Sequence, residues 1–217
     1  MNHIPFIAIE GPIGVGKTSL AKAISARYQY HLLKEIVDEN PFLSKFYENI
    51  EEWSFQTEMF FLCNRYKQLE EIKQNFIEKN IPVVADYHIY KNIIFAKRTL
   101  TKEQYMKYKS IYDILTADMP KPNLIIYLHA SLPTLLSRIE RRGREMEQKL
   151  DPQYLRQLSE DYETAMANWA SLYPDTPIID INGDEVDFVN HPEDLQAILM
   201  KLDQALQKGA TCFEPTR

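Results

Sequence analysis

Cysteine is nearly absent: only Cys63 and Cys212 occur in 217 residues. They lie far apart, in no metal-ligating spacing, and are expected to be free thiols in a reducing compartment rather than a disulfide or a zinc site. Excess positive charge is also lacking. With 25 Lys and Arg against 31 Asp and Glu, the net charge is −6, so any anion must be held by local positive groups and no global pull toward nucleic acid or an anionic membrane exists. No apolar run approaches membrane-spanning length, and Met1-Asn2-His3-Ile4-Pro5 has no signal-peptide character. A cytoplasmic protein without nucleic-acid or membrane partners is expected. Repeats, low-complexity tracts and linkers are missing as well, so residues 1–208 are expected to form one domain and 209–217 a disordered tail.

Glycine is scarce, six in all, yet Gly11, Gly14 and Gly16 stand almost together. They interrupt the stretch Phe6-Ile7-Ala8-Ile9-Glu10-Gly11-Pro12-Ile13-Gly14-Val15-Gly16-Lys17-Thr18-Ser19, which fits Gly, four residues, Gly-Lys-Ser/Thr with no mismatch. The apolar run predicts a buried parallel strand, and Ser19 to Arg27 predicts the helix that leaves it. In such a loop the backbone N–H groups of Gly11, Pro12 to Val15 (proline excepted) and Gly16 turn onto an anion, helped by the helix N-terminus. Lys17 reaches the outer phosphates, and the Thr18 hydroxyl is placed for Mg²⁺.

Further along, His31-Leu32-Leu33 predicts a second strand that delivers Glu35 to the crevice beyond the strand ends, where ligands of open parallel sheets bind. A short helix is expected from Phe42 to Glu48 and a long one from Trp53 to about Lys79. On the latter, Gln56 and Arg65 are polar residues able to leave the apolar stripe. Pro82 to Asp86 predicts a third strand ending in an acid. Helices are expected from Ile89 to Thr99 and Lys102 to Asp118, then a strand from Leu124 to Leu128. Leu132 to Arg142 predicts a helix bearing Arg138, Arg141 and Arg142, with Arg144 just beyond Gly143. Arginine suits the clamping of a phosphoryl group, and this cluster predicts a lid over about 141–150. A helix from Pro152 to Trp169, a strand at Pro177 to Ile181 and a helix from Pro192 to Gln207 complete the chain. Five strands alternating with helices imply an α/β fold: a five-stranded parallel sheet with helices on both faces.

Four segments in this order resemble the deoxyribonucleoside kinases: Glu10 to Thr18, Trp53 to Gln56, Ala85 to Asn92 and Arg141 to Glu147. The resemblance spans the chain except its tail and is similar in particular to the bacterial deoxyguanosine-phosphorylating members. It implies a P-loop kinase fold with an arginine-rich lid, ATP as phosphate donor, Mg²⁺, and a homodimer built on the long helices. It further implies that Glu35 takes the proton of the sugar 5′-hydroxyl, that Tyr47 and Glu147 hold the 3′-hydroxyl, and that Gln56 reads the base. Asp86 matches an acid that supports Mg²⁺, also assigned as the base. Arg142 and Arg144 match lid arginines on the phosphates, and Asp187-Phe188 match the loop over the adenine. Where most members carry Arg-Ser after the acid, this chain has Tyr87-His88, so that charge is absent or comes from elsewhere. Asn92 falls at a base-selecting position, or Lys91 does if the register slips by one.

Phosphoryl transfer needs in-line positioning, charge neutralisation and a carboxylate near the attacking hydroxyl, and all these parts are present. Other readings stay open: a deoxyadenosine or mixed-specificity kinase, a thymidylate-kinase-like enzyme, and a non-enzymatic nucleotide-binding module. A GTPase-like switch lacks its guanine motif. Purine is expected over pyrimidine, with deoxyguanosine first. Because Gln56 offers the guanine O6/N7 edge one donor, a second is expected from Arg65, Tyr87, His88, Lys91 or Asn92.

Overall fold

The computed structural model describes residues 4–37, 39–147 and 149–211. The short apolar runs become strands β1 (Phe6–Glu10), β2 (His31–Leu33), β3 (Val83–Ala85), β4 (Leu124–His129) and β5 (Ile178–Asn182). They pair into one five-stranded, wholly parallel sheet in the order β2-β3-β1-β4-β5. All five residues of β1 are buried, as expected of a central strand covered on both sides. Alternation along β1 and β3 divides the core. Phe6, Val83 and Ala85 join a cluster with Leu62, Leu69, Ile93 and Tyr108, whereas Ile7, Ile9 and Val84 join a larger one with Leu20, Ile24, Leu135, Leu158 and Leu202.

The helices are α1 (Lys17–Tyr28), α2 (Leu43–Glu48), α3 (Ile50–Asn75), α4 (Lys91–Thr99), α5 (Lys102–Thr116), α6 (Leu132–Arg142), α7 (Pro152–Leu172) and α8 (Pro192–Thr211). They cover both faces of the sheet. In α1, Leu20 and Ile24 are fully buried, each contributing on the order of 2 kcal/mol and together holding the helix behind the glycine loop against the sheet. The element order matches the sequence expectation, with shifted ends. α3 starts at Ile50 because the Asn49 side chain accepts from the Glu52 N–H at 3.3 Å, and it stops at Asn75, a 3₁₀ turn covering Ile77–Lys79. α8 continues to Thr211, so 209–211 are helical and not part of a loose tail. The remainder of that expected tail, with Cys212, lies outside the described residues; Cys63 is a free, exposed thiol.

Chain direction places the site. From β1 the first crossover leads to β2 at one edge, while the crossover after β3 leads to β4 on the other side of β1. The carboxyl ends of β1, β2 and β3 therefore open onto one crevice at the point where the winding reverses. Among the described residues, no helix is long and apolar enough to cross a membrane.

Candidate active site

The loop from β1 to α1 depends on two glycines in particular. Gly11 has φ 145, and a Cβ there would stand 2.1 Å from the Leu128 carbonyl oxygen; Gly16 has φ 109, and its Cβ would stand 3.0 Å from Phe188 Cζ. Only glycine lets the backbone lie this close to β4 and Phe188 in that conformation. Lys17 opens α1 and donates from Nζ to the carbonyls of Gly11 and Pro12 at 2.7 and 2.8 Å. Burial, reinforced by Lys91, pushes its ammonium group down to about 7. Negative charge beside it would restore the ordinary value.

Asp86, buried just beyond β3, ties that strand end to the start of α1 and to the segment after β2. It accepts from Thr18 Oγ1 at 2.6 Å and from the Glu35 backbone N–H at 2.7 Å. Thr18 and Asp86 thus present hard oxygen donors side by side, a donor set that fits Mg²⁺ bound by few protein groups.

Glu35, past the end of β2, is the most heavily paired acid of the crevice. Lys91 Nζ donates to both of its oxygens at 3.0 and 2.8 Å. Arg65 reaches the same carboxylate through Nε at 3.1 Å and more closely through Nη2. Burial alone would raise its pKa, but Lys91 and Arg65 outweigh that effect and hold the carboxyl below the ordinary range. In the absence of an arginine directly after Asp86, the cations beside Glu35 are Lys91 and Arg65.

These groups share a cleft of about 660 Å³, within the range of small-molecule sites. Its lining includes Ile13 to Ser19, Arg138, Arg141, Arg142, Arg144, Asp187 and Phe188, together with Tyr47, Thr57, Glu58, Phe61, Arg65 and Phe95. Arg142 pairs with the buried carboxylate of Glu147, which Arg144 also approaches at 3.5 Å. Glu147 and the neighbouring Tyr47, whose hydroxyl is pushed up by burial and then by Glu147, line the cleft together. Arg138 binds backbone instead: it donates to the carbonyls of Val15 and Gly183 at 3.0 and 2.8 Å. The Asp187 carboxylate is occupied within its own turn by Val189 and Asn190, leaving Phe188 to meet the glycine loop.

Several expected positions lie elsewhere. Gln56 is exposed and outside the cleft wall; on an α-helix it stands about 200° around the axis from Glu58, which is buried and faces the cleft. Tyr87 is fully buried and donates to Gln68 at 2.8 Å. Asn92 is likewise buried behind the site: it accepts from Arg65 at 2.8 Å and donates to Tyr108 at 2.7 Å. His88 packs near Trp169, with ring centroids 5.5 Å apart. Gly11 and Pro12 hold Lys17 rather than line the cleft. Conversely, sequence reasoning overlooked Glu58, Phe61 and Phe95. The available signal was a glutamate seven residues before Arg65, on the same side of α3.

Comparisons with known proteins identify the family and the fold. A family profile described as deoxynucleoside kinase matches residues 7–207. The chain is 56% identical over 198 residues to a deoxyguanosine kinase of Bacillus subtilis, covering 91% of this chain and 96% of that one. To a deoxyadenosine/deoxycytidine kinase of the same organism it is 34% identical over 209 residues, covering 91% and 93%. Among solved structures, the deoxyadenosine kinase from M. mycoides with bound dATP superimposes with a TM-score of 0.78 at 27% identity, covering 91% of this chain and 98% of that one.

Proposed function

The chain belongs to the deoxynucleoside kinase family, and from that premise we propose that deoxyguanosine is the substrate whose 5′-hydroxyl it phosphorylates from ATP. The observation that carries this reading is the single cleft joining the phosphate loop, Asp86 and the Lys91–Glu35–Arg65 cluster. The preference for deoxyguanosine draws its support from the similarity to the Bacillus subtilis deoxyguanosine kinase.

In this reading Lys17, with Arg142 and Arg144 from the lid, neutralises charge on the transferring phosphoryl group, and Glu35 orients the attacking hydroxyl and accepts its proton. A carboxylate held this acidic is a weak base. That suits a loose transition state, in which little proton removal is needed before the phosphorus–oxygen bond forms and positioning dominates. Tyr47 and Glu147 hold the sugar 3′-hydroxyl. Because Glu147 also pairs with Arg142, sugar binding and lid placement are linked through one carboxylate. Thr18 and Asp86 would hold Mg²⁺, whose contribution is charge neutralisation on the phosphates. Phe188 would cover the adenine of the donor.

The same proposal includes one domain over 1–208, a homodimer through the long helices and a cytoplasmic location. Light scattering tests the dimer. Incubation with ATP, Mg²⁺ and each of the four deoxynucleosides, with detection of monophosphate, tests the activity: dGMP should form fastest, and preferential phosphorylation of another deoxynucleoside would refute the assignment.

A further inference from the structure

Among the residues lining the cleft is a carboxylate that none of the roles above uses. Glu58, on α3, is 2% exposed and lines the cleft. Its Oε1 has one long contact, accepting from Thr99 Oγ1 at 3.5 Å, and its Oε2 has no hydrogen-bond partner among the described residues. The nearby cations are engaged elsewhere. Lys91 is bound to both oxygens of Glu35, and Arg65 is divided between Glu35 and Asn92. A buried carboxylate oxygen in this condition calls for donors from a ligand.

The surroundings define that ligand's shape. Phe61, about one helical turn beyond Glu58, and Phe95 of α4 also line the cleft. Arg65 stands over the Phe61 ring at 4.6 Å and Lys91 over the Phe95 ring at 5.3 Å, so the two rings are braced by the cations that hold Glu35. Aromatic walls favour a flat group, and a carboxylate at its edge favours one with adjacent N–H donors.

We infer that Glu58 selects guanine, its two oxygens accepting N1–H and an N2–H of the base. The inference rests on the deoxynucleoside reading of the cleft and deepens it. Among the bases of deoxynucleosides, guanine alone sets two donors side by side on this edge. Adenine and cytosine put a donor beside an unprotonated ring nitrogen, which an ionised carboxylate repels, and thymine puts one N–H between two carbonyls. Burial pushes the Glu58 carboxyl up to about 7, against the pull of Arg65 and Lys91; two N–H donors would favour its ionised form.

The test compares kcat/KM for deoxyguanosine and deoxyadenosine in the wild type and Glu58→Gln. An amide offers one acceptor and one donor, matching N6–H and N1 of adenine, so the ratio of deoxyguanosine to deoxyadenosine should fall by roughly 10²-fold. A second series uses the wild-type enzyme alone and so does not depend on the variant folding. 1-Methyl-2′-deoxyguanosine, which lacks N1–H, should lose essentially all activity. Deoxyinosine, which lacks the N2 amine, should lose roughly ten- to a hundredfold. An unchanged ratio in Glu58→Gln, or equal use of deoxyguanosine and its 1-methyl analogue, would overturn the assignment of Glu58 while leaving the deoxyguanosine reading intact. A wild-type enzyme that phosphorylates deoxyadenosine in preference to deoxyguanosine would overturn both.

Discussion

Lys91 Nζ holds both carboxylate oxygens of Glu35, at 3.0 and 2.8 Å, from a position 56 residues further along the chain. Lys91→Met should therefore raise the Glu35 pKa, since one of the two cations that offset its burial is gone. The acid limb of the kcat/KM profile should move toward neutral pH, and kcat at pH 7 should fall by about tenfold or more. An acid limb that stays in place would show that Glu35 is not the group being titrated.

Glu35→Gln should lower kcat by about 10²-fold or more, with a much smaller change in nucleoside affinity. It should also destabilise the ligand-free protein by on the order of 3 kcal/mol, because Arg65 and Lys91 would be left as buried cations without their anion. Chemical denaturation alongside single-turnover kinetics measures both. Should Asp86→Asn remove the proton-acceptor limb and Glu35→Gln leave it, the two acids exchange roles.

Lys17→Ala should abolish turnover and leave the melting temperature within a few degrees of wild type. Among the described residues its ammonium group donates only to two loop carbonyls, whereas its removal takes away charge stabilisation at the transferring group. Undiminished activity would sink the phosphate-loop reading.

Tyr47→Phe should weaken use of deoxynucleosides by about 1 kcal/mol, the value of one hydrogen bond to the sugar 3′-hydroxyl. With Tyr47 filling the space beside the 2′-carbon, guanosine should be a far poorer substrate than deoxyguanosine. Equal kcat/KM for the two sugars would refute this placement.

Glu58 also makes a pH prediction for the ligand-free protein. Burial pushes its carboxyl up to about 7 from the ordinary 4.5, so the folded state keeps a proton that the unfolded chain releases. Its stabilising contribution is complete below pH 4.5 and disappears as pH rises to about 7, by on the order of 3 kcal/mol. Denaturation curves across this window should show that slope in the wild type, and Glu58→Gln should remove it. Glu10, pushed up to about 7 by burial, contributes a slope of the same sign in both proteins and cancels in the difference.

The phosphate loop and the parallel sheet were legible in the sequence because each is encoded locally. Glycine spacing in the loop reflects backbone conformations within a few residues, and short apolar runs between helical segments announce buried strands whatever their neighbours. Glu35 and Asp86 were legible for the same reason, as acids just past such runs. Strand order followed only once the chain had packed, as did the meeting of Thr18 with Asp86 across 68 positions.

Tertiary structure alone decided which face of α3 enters the cleft and which cations hold Glu35. The resemblance put the base reader at Gln56, but packing of α3 against α2, α4 and α5 buries Ser54, Thr57, Glu58, Phe61 and Arg65 and leaves Gln56 in solvent. Replacement of the expected arginine by Tyr87 likewise said only that a charge was missing. The cations that hold Glu35, Arg65 and Lys91, come from two different helices, 30 and 56 residues away. The sequence by itself determined the fold class and the phosphate loop, because backbone preference and burial periodicity act over short stretches. The pairing of buried charges depends on how whole helices rotate and dock, and that is settled only when the distant segments share one core.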